Sequence, residues 1–275
     1  MNASYLKNPF EHWVLPAIEK IPIFGFYART RGWPFVIAWG HRIAGMLLAV
    51  YVLLHIYTLS FLVTPEIFDA KMKIYGFFLF SFLEWMLAVP VIVHALNGGR
   101  LILYEIFGSR SDRLMRMWVF SLTLIYVLLQ GLLMVLGNQT VTPIFFWLTG
   151  FILSSCLVVL VISKIWQVKS AVTWKLQRIS GAYMFIMIPA HLLFMHLKPE
   201  VGHEAGVVIA RMQNIYIKLV DITLVIAVLF HAGYGLISIS KDYISSRNFQ
   251  KCLTFFIIFI MAVFGWIGVK LTLII

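Results

Sequence analysis

The sequence predicts an all-α polytopic membrane protein with about seven transmembrane helices, arranged as two parallel three-helix repeats joined by one extra helix. Three observations carry this. Of the 275 residues, 61% are hydrophobic and only 12% charged, with a mean hydropathy of +0.93, whereas a soluble domain carries about 25% charged residues. Apolar runs of roughly eighteen residues or more, enough to cross a bilayer as helix, follow one another from end to end; the short alternating segments of a membrane barrel are missing. Two of these runs also share one pattern of ionisable residues and glycines, 137 positions apart, which marks an internal duplication.

Taken in order, residues 1–34 form a mixed surface segment, charged, aromatic and interrupted by Pro9, Pro16, Pro22 and Pro34. It has neither the unbroken apolar core nor the small-residue cleavage site of a signal peptide. The spans fall at about 35–63, 74–106, 115–137, 143–166, 174–197, 215–243 and 250–275. The second is longer than the roughly 20 residues a crossing requires, which implies tilt or protrusion. Ser109 to Arg116 is a short basic connection, Gly137 to Pro143 an uncharged turn, and Leu197 to Asn214 a polar loop. The first repeat is therefore 35–137, the connecting helix 143–166 and the second repeat 174–275. This leaves no room for a separate soluble enzyme domain. Cys156 and Cys252 lie in or beside different apolar runs, so neither a disulfide framework nor thiol chemistry is expected.

The net charge of +11 is loop charge and not a nucleic-acid footprint. Arg110, Arg113, Arg116, Lys169, Lys175, Arg247 and Lys251 lie in or beside the connections after spans two, four and six, and the turn after span three carries no charge. Positive residues are retained on the cytoplasmic side. The chain is thus expected in the inner (cytoplasmic) membrane, N-terminus inside and C-terminus outside, after seven crossings.

The duplication is specific. Glu84 is followed by His94 at plus ten, Gly98 four further on, and Glu105 eleven beyond the histidine; Asp221, His231, Gly235 and Asp242 repeat that spacing. His41-Arg42-Ile43-Ala44-Gly45 returns 136 positions later as Gln177-Arg178-Ile179-Ser180-Gly181, and His55 returns as His191. Three helices end on the side opposite their start, so a second parallel copy needs one more crossing, which the fourth span supplies.

A single membrane histidine can be a packing residue or a relay member. Two repeat-related pairs, His94 with His231 and His55 with His191, suggest more. A twofold axis along the membrane normal puts each pair at one depth on facing helices, as the axial ligands of six-coordinate haem iron require. Depth places His94 and His231 in the inner half and His55 and His191 in the outer half, about 15 Å apart at roughly 1.5 Å per residue. Gly98 and Gly235 either clear a porphyrin face or let helices approach closely, and the same alternatives hold for Gly45 and Gly181. Glu84 and Asp221, near the level of the outer pair, are either structural acids or proton carriers for quinone chemistry. His41, Arg42, Arg100 and Arg178 sit near the inner edge, where they either snorkel to headgroups or bind haem propionates or a quinone carbonyl. Tyr243 adds a phenol donor beside Asp242.

These motifs resemble the haem-bearing membrane anchor of succinate:quinone oxidoreductases and quinol:fumarate reductases. Gly40 to Gly45 is similar to the HR-x-Ser/Thr-Gly signature of the larger anchor subunit. His94, Gly98 and Arg100, with Glu105 in place of an aspartate, are similar to its second-helix haem motif. His231-Ala232, Gly235 and Asp242-Tyr243 are similar to the haem and quinone motif of the smaller subunit. The chain looks like the two three-helix subunits fused through one added helix, a resemblance covering six of the seven spans. It departs at Ala38, where the family's quinone-side serine stands, and at Ala44.

The resemblance implies that His94 and His231 ligate a haem b, that Arg42 and Tyr243 contribute to a quinone site near the inner surface, and that His41, Arg178 and Arg100 hold propionates. His55 and His191 have the depth and pairing of the second haem in two-haem members, which generally use menaquinone. The expected function is that of a di-haem cytochrome b, the quinone-reactive anchor of a succinate dehydrogenase or fumarate reductase, exchanging electrons with an iron–sulfur subunit docked beside a flavoprotein subunit. Flavin and cysteine-cluster motifs are absent from this chain, so succinate chemistry belongs to those partners. The rivals are a di-haem subunit of another membrane dehydrogenase or reductase, and a haem-free transporter with parallel repeats.

Overall fold

The computed structural model describes residues 20–75, 78–108, 112–136, 143–195 and 204–275. Residues 1–19 of the surface segment, the turn at 137–142, the loop at 196–203 and residues 109–111 of the basic connection lie outside the described residues. Among those described, all regular structure is helical: α1 (Pro22–Arg31), α2 (Trp33–Leu59), a 3-10 turn (Ser60–Val63), α3 (Pro65–Tyr75), α4 (Phe78–Phe107), α5 (Asp112–Leu136), α6 (Pro143–Ile165), α7 (Val172–Met195), α8 (Ala205–Met212), α9 (Ile215–Tyr243) and α10 (Arg247–Ile274).

Local chemistry sets the helix starts. Pro22 and Pro34 fall in the first turns of α1 and α2, where a missing N–H removes no helical bond. Gly32 joins the two helices with φ of 82°, a conformation that an L side chain strains. The Asn214 side chain accepts from the Tyr216 N–H at 2.9 Å to open α9, and Ser246 accepts from Phe249 to open α10.

Among the described residues six helical segments are long and apolar enough to cross a membrane: Trp33–Val63, Trp85–Ile106, Phe146–Ile165, Val172–Met195, Ile215–Tyr243 and Arg247–Ile274. The seventh expected crossing is α5, 25 residues long, with Met115–Leu128 as its described apolar stretch. The chain is a multi-pass membrane protein. Its outward surface is correspondingly apolar, with Phe255 73% and Trp266 69% exposed, while Asn97, Ser154, Gln177, Ser180, Ser240 and Thr272 are buried. That distribution suits lipid outside and polar contacts within.

Two segments differ from the sequence expectation. The connection between the first and second spans contains a separate helix, α3, while the second span keeps its excess length, since α4 runs for 30 residues. The loop at 197–214 contains α8. Both helices are too short to cross. Phe68 and Met72 of α3 and Ala205 and Met212 of α8 bury together with Leu62 and Leu271, so the two helices form a cap on one end of the molecule. α1 packs on the start of α2 at the other end, called the basic end below because Arg42, Arg100 and Arg178 lie there.

The centre is a ring of four helices. α2 packs on α4 and α9, and α7 packs on α4 and α9 as well. α5 lies against α4, α10 against α9 and α2, and α6 against α7. Trp147 and Met187, both fully buried, are the core of the α6–α7 seam.

Candidate functional site

A cavity of about 1380 Å³ runs inside the ring, from Arg42 and Asp242 at the basic end to Tyr75 and Arg211 under the cap. Each ring helix lends it one of the duplicated histidines, His55 from α2, His94 from α4, His191 from α7 and His231 from α9, and α2 adds His41. They meet in the couples expected from the duplication. The ring centroids of His94 and His231 are 6.1 Å apart with planes at 80°; those of His55 and His191 are 6.3 Å apart at 90°. The His94 ring abuts Gly45, and His55 lies ten residues further along α2, so the couples are separated by roughly 15 Å along the bundle.

The surroundings of the first couple repeat with the chain. His94 Nδ1–H donates to the His41 carbonyl at 3.1 Å. The Gln177 carbonyl, 136 positions later, accepts from the His231 ring, with Ser180 Oγ also 3.3 Å from its Nδ1. A carbonyl can only accept, so in His94 Nδ1 carries the proton and Nε2 keeps its lone pair for a ligand. Glycines make room for both rings. A Cβ on Gly45 would stand 2.9 Å from His94 Cε1, and one on Gly181 would stand 3.3 Å from His231 Cε1. Gly98 and Gly235 are looser: a Cβ there would be 3.6 Å from the His41 ring and 3.8 Å from Gln177 Nε2, ordinary contacts. His41 itself lies parallel on His94, with centroids 4.0 Å apart and planes at 2°.

The basic end holds two reciprocal ion pairs. Arg42 of α2 donates to Asp242 Oδ2 of α9 at 2.8 Å and to the Tyr243 hydroxyl, with Trp39 packed on the Tyr243 ring. Arg178 of α7 makes a two-pronged bond to Glu105 of α4, at 2.8 and 2.7 Å, over the Trp174 ring. Arg42 and Arg178 are 136 apart, Glu105 and Asp242 137 apart. Each arginine reaches the other half's acid, the exchange that a twofold relation generates. Sequence reasoning named these residues singly and missed the pairing, although the repeated offsets carried its signal. Arg100 lies over Tyr104 and lines the cavity nearby. Asp221 lines it at the capped end. Glu84 belongs to α4, and its side chain lies outside the described residues.

Among the described residues no cluster of three or more His, Cys, Asp or Glu side chains converges to hold a metal.

Residues 33–133 and 161–269 match the family described as Succinate dehydrogenase/Fumarate reductase transmembrane subunit. Over 95 residues the chain is 33% identical to the succinate dehydrogenase 2 membrane subunit SdhC of Mycobacterium tuberculosis, a stretch covering 33% of this chain and 69% of the relative. No solved structure matches it. A helical membrane bundle with these matches over most of its length belongs to the family of succinate dehydrogenase/fumarate reductase transmembrane subunits.

Proposed function

We propose that the chain is a di-haem cytochrome b that passes electrons between a membrane quinone and the iron–sulfur subunit of a succinate dehydrogenase or fumarate reductase. The observation that supports this most is the separation of the two imidazole couples. With a metal–nitrogen bond of about 2 Å and about 1.1 Å from ring nitrogen to ring centroid, two imidazoles on opposite faces of one metal have centroids roughly 6 Å apart. Both couples have that spacing, 6.1 and 6.3 Å. The cavity also exceeds the roughly 300–1,000 Å³ typical of a site for one small ligand.

In this reading His94 and His231 hold one haem and His55 and His191 the other. When bound, the haems supply one-electron carriage over about 15 Å. The His41 and Gln177 carbonyls aim the inner imidazoles, and Gly45 and Gly181 admit them. Arg178, Arg100 and His41 surround the inner propionates. Arg42 and Tyr243 present donors to a quinone carbonyl at the basic end, oriented by Asp242. Asp221 and Glu84 handle protons that accompany quinone turnover nearer the cap. The basic end faces the cytoplasm with the N-terminus and receives the iron–sulfur subunit, with the flavoprotein beyond it. The quinone is assigned as menaquinone from the likeness to two-haem members.

The test is purification from native membranes without harsh detergent. Flavin and iron–sulfur centres should copurify, and succinate should reduce a b-type absorption band, or quinol should reduce it when fumarate accepts. A haem-bearing chain that copurifies with a different dehydrogenase, and whose band succinate and fumarate leave unchanged, would overturn the proposal.

A further inference from the structure

The capped end of the cavity contains polar groups that the roles above leave unused. α3 and α8 roof it, joined where the Asp69 carboxylate accepts from the Ala205 N–H at 2.7 Å. Arg211, near the end of α8, and Tyr75, the last residue of α3, both line the cavity. They are 136 positions apart, the offset that relates His55 to His191. Arg211 is partly buried, and that burial draws its guanidinium below its usual pKa. Among the described residues no carboxylate lies within ion-pair distance of it, Asp221 included. A cation partly withdrawn from water at the edge of an apolar cavity favours an anion beside it.

The chemistry of the ligand proposed for that cavity supplies one. Haem b is an apolar ring with two carboxylates on one edge. When its imidazoles come from helices related by a twofold axis, the axis passes through the metal and lies in the ring plane. A symmetric edge then places one carboxylate on each side of the axis, each facing a different half of the chain. Arg211 comes from one half and Tyr75 is its equivalent in the other.

Building on the di-haem reading, we propose that Arg211 and Tyr75 bind the two propionates of the haem held by His55 and His191, the guanidinium as a charged donor and the phenol as a neutral one. The roof helices are thus part of the cofactor site. The repeat makes the two contacts unequal, since only one half carries a cation there.

The experiment uses the intact complex. Haem per chain is measured by pyridine haemochrome and midpoint potentials by redox titration, for wild type, Arg211→Gln, Arg211→Lys and Tyr75→Phe. His191→Ala identifies the outer component, and the component lost in His94→Ala serves as internal control for folding. Arg211→Gln should lower the midpoint potential of the outer component, because removing a cation favours the more positive ferric state. It should also weaken haem retention about tenfold or more, the scale of one charge-assisted hydrogen bond. Arg211→Lys should keep most of the wild-type potential, and Tyr75→Phe should shift the same component by less. Unchanged potential and retention in Arg211→Gln, or equal shifts in both components, would overturn the inference while two wild-type haems leave the di-haem reading standing. One wild-type haem, with a spectrum untouched by His191→Ala, would overturn both.

Discussion

Gly45 and Gly181 show how little space a single atom has here. Their missing side chains are what lets the His94 and His231 rings lie against α2 and α7. Gly45→Ala places a carbon 2.9 Å from His94 Cε1, so the ring has to move; Gly181→Ala leaves 3.3 Å, which a few tenths of an ångström relieve. Overpacking of this kind costs about 1–3 kcal/mol. Gly45→Ala should therefore broaden or abolish the inner haem signal and Gly181→Ala should perturb it only slightly, as read by low-temperature difference spectra. The four histidines were legible in the sequence because each recurs at a fixed offset inside an apolar run. The hydrogen bonds that aim them were not, since the acceptors are the backbone carbonyls of His41 and Gln177, and a carbonyl has no sequence identity. Glycine at 45 and 181 was visible, but what each faced depended on helix rotation.

Helices are held in the ring by more than apolar packing. Arg42–Asp242 ties α2 to α9 and Arg178–Glu105 ties α7 to α4. The second is two-pronged and about three-quarters shielded on both sides, with 24% and 28% exposure. Breaking it with Glu105→Arg or Arg178→Glu should cost about 1–3 kcal/mol, and combining the two should recover much of the loss in a thermal-stability double-mutant cycle. Additive losses would mean that the pair does not couple these helices. At the cap, Asp69→Ala removes an acceptor for the first N–H of α8, worth about 1 kcal/mol and so a fall of about 2–4 °C in Tm. The cap was the least legible element. α3 and α8 are short, amphipathic and carry charges, so by composition they read as the connections after spans one and five. Their burial depends on each other and on Leu271 at the far end of the chain.

Over the whole molecule, one relation organises the parts: residues 136 or 137 positions apart have matching neighbours. It accounts for the two histidine couples, the reciprocal ion pairs, the paired carbonyl acceptors and the paired glycines. Apolar length made the crossings readable, and the periodic offset made the site readable. The exceptions are where the halves differ, with Gln177 in the place of His41 and Ile106 in that of Tyr243. The phenol beside Arg42 therefore has no counterpart beside Arg178, which is the difference that the proposed quinone site rests on. The most direct test of two stacked bis-histidine sites is haem quantification with reduced-minus-oxidised spectra on the wild type, His94→Ala and His55→Ala. The account predicts two haems b per chain, with each substitution removing a different spectral component and sparing the other. A wild type without a b-type band, or a single component lost in both variants, would contradict it.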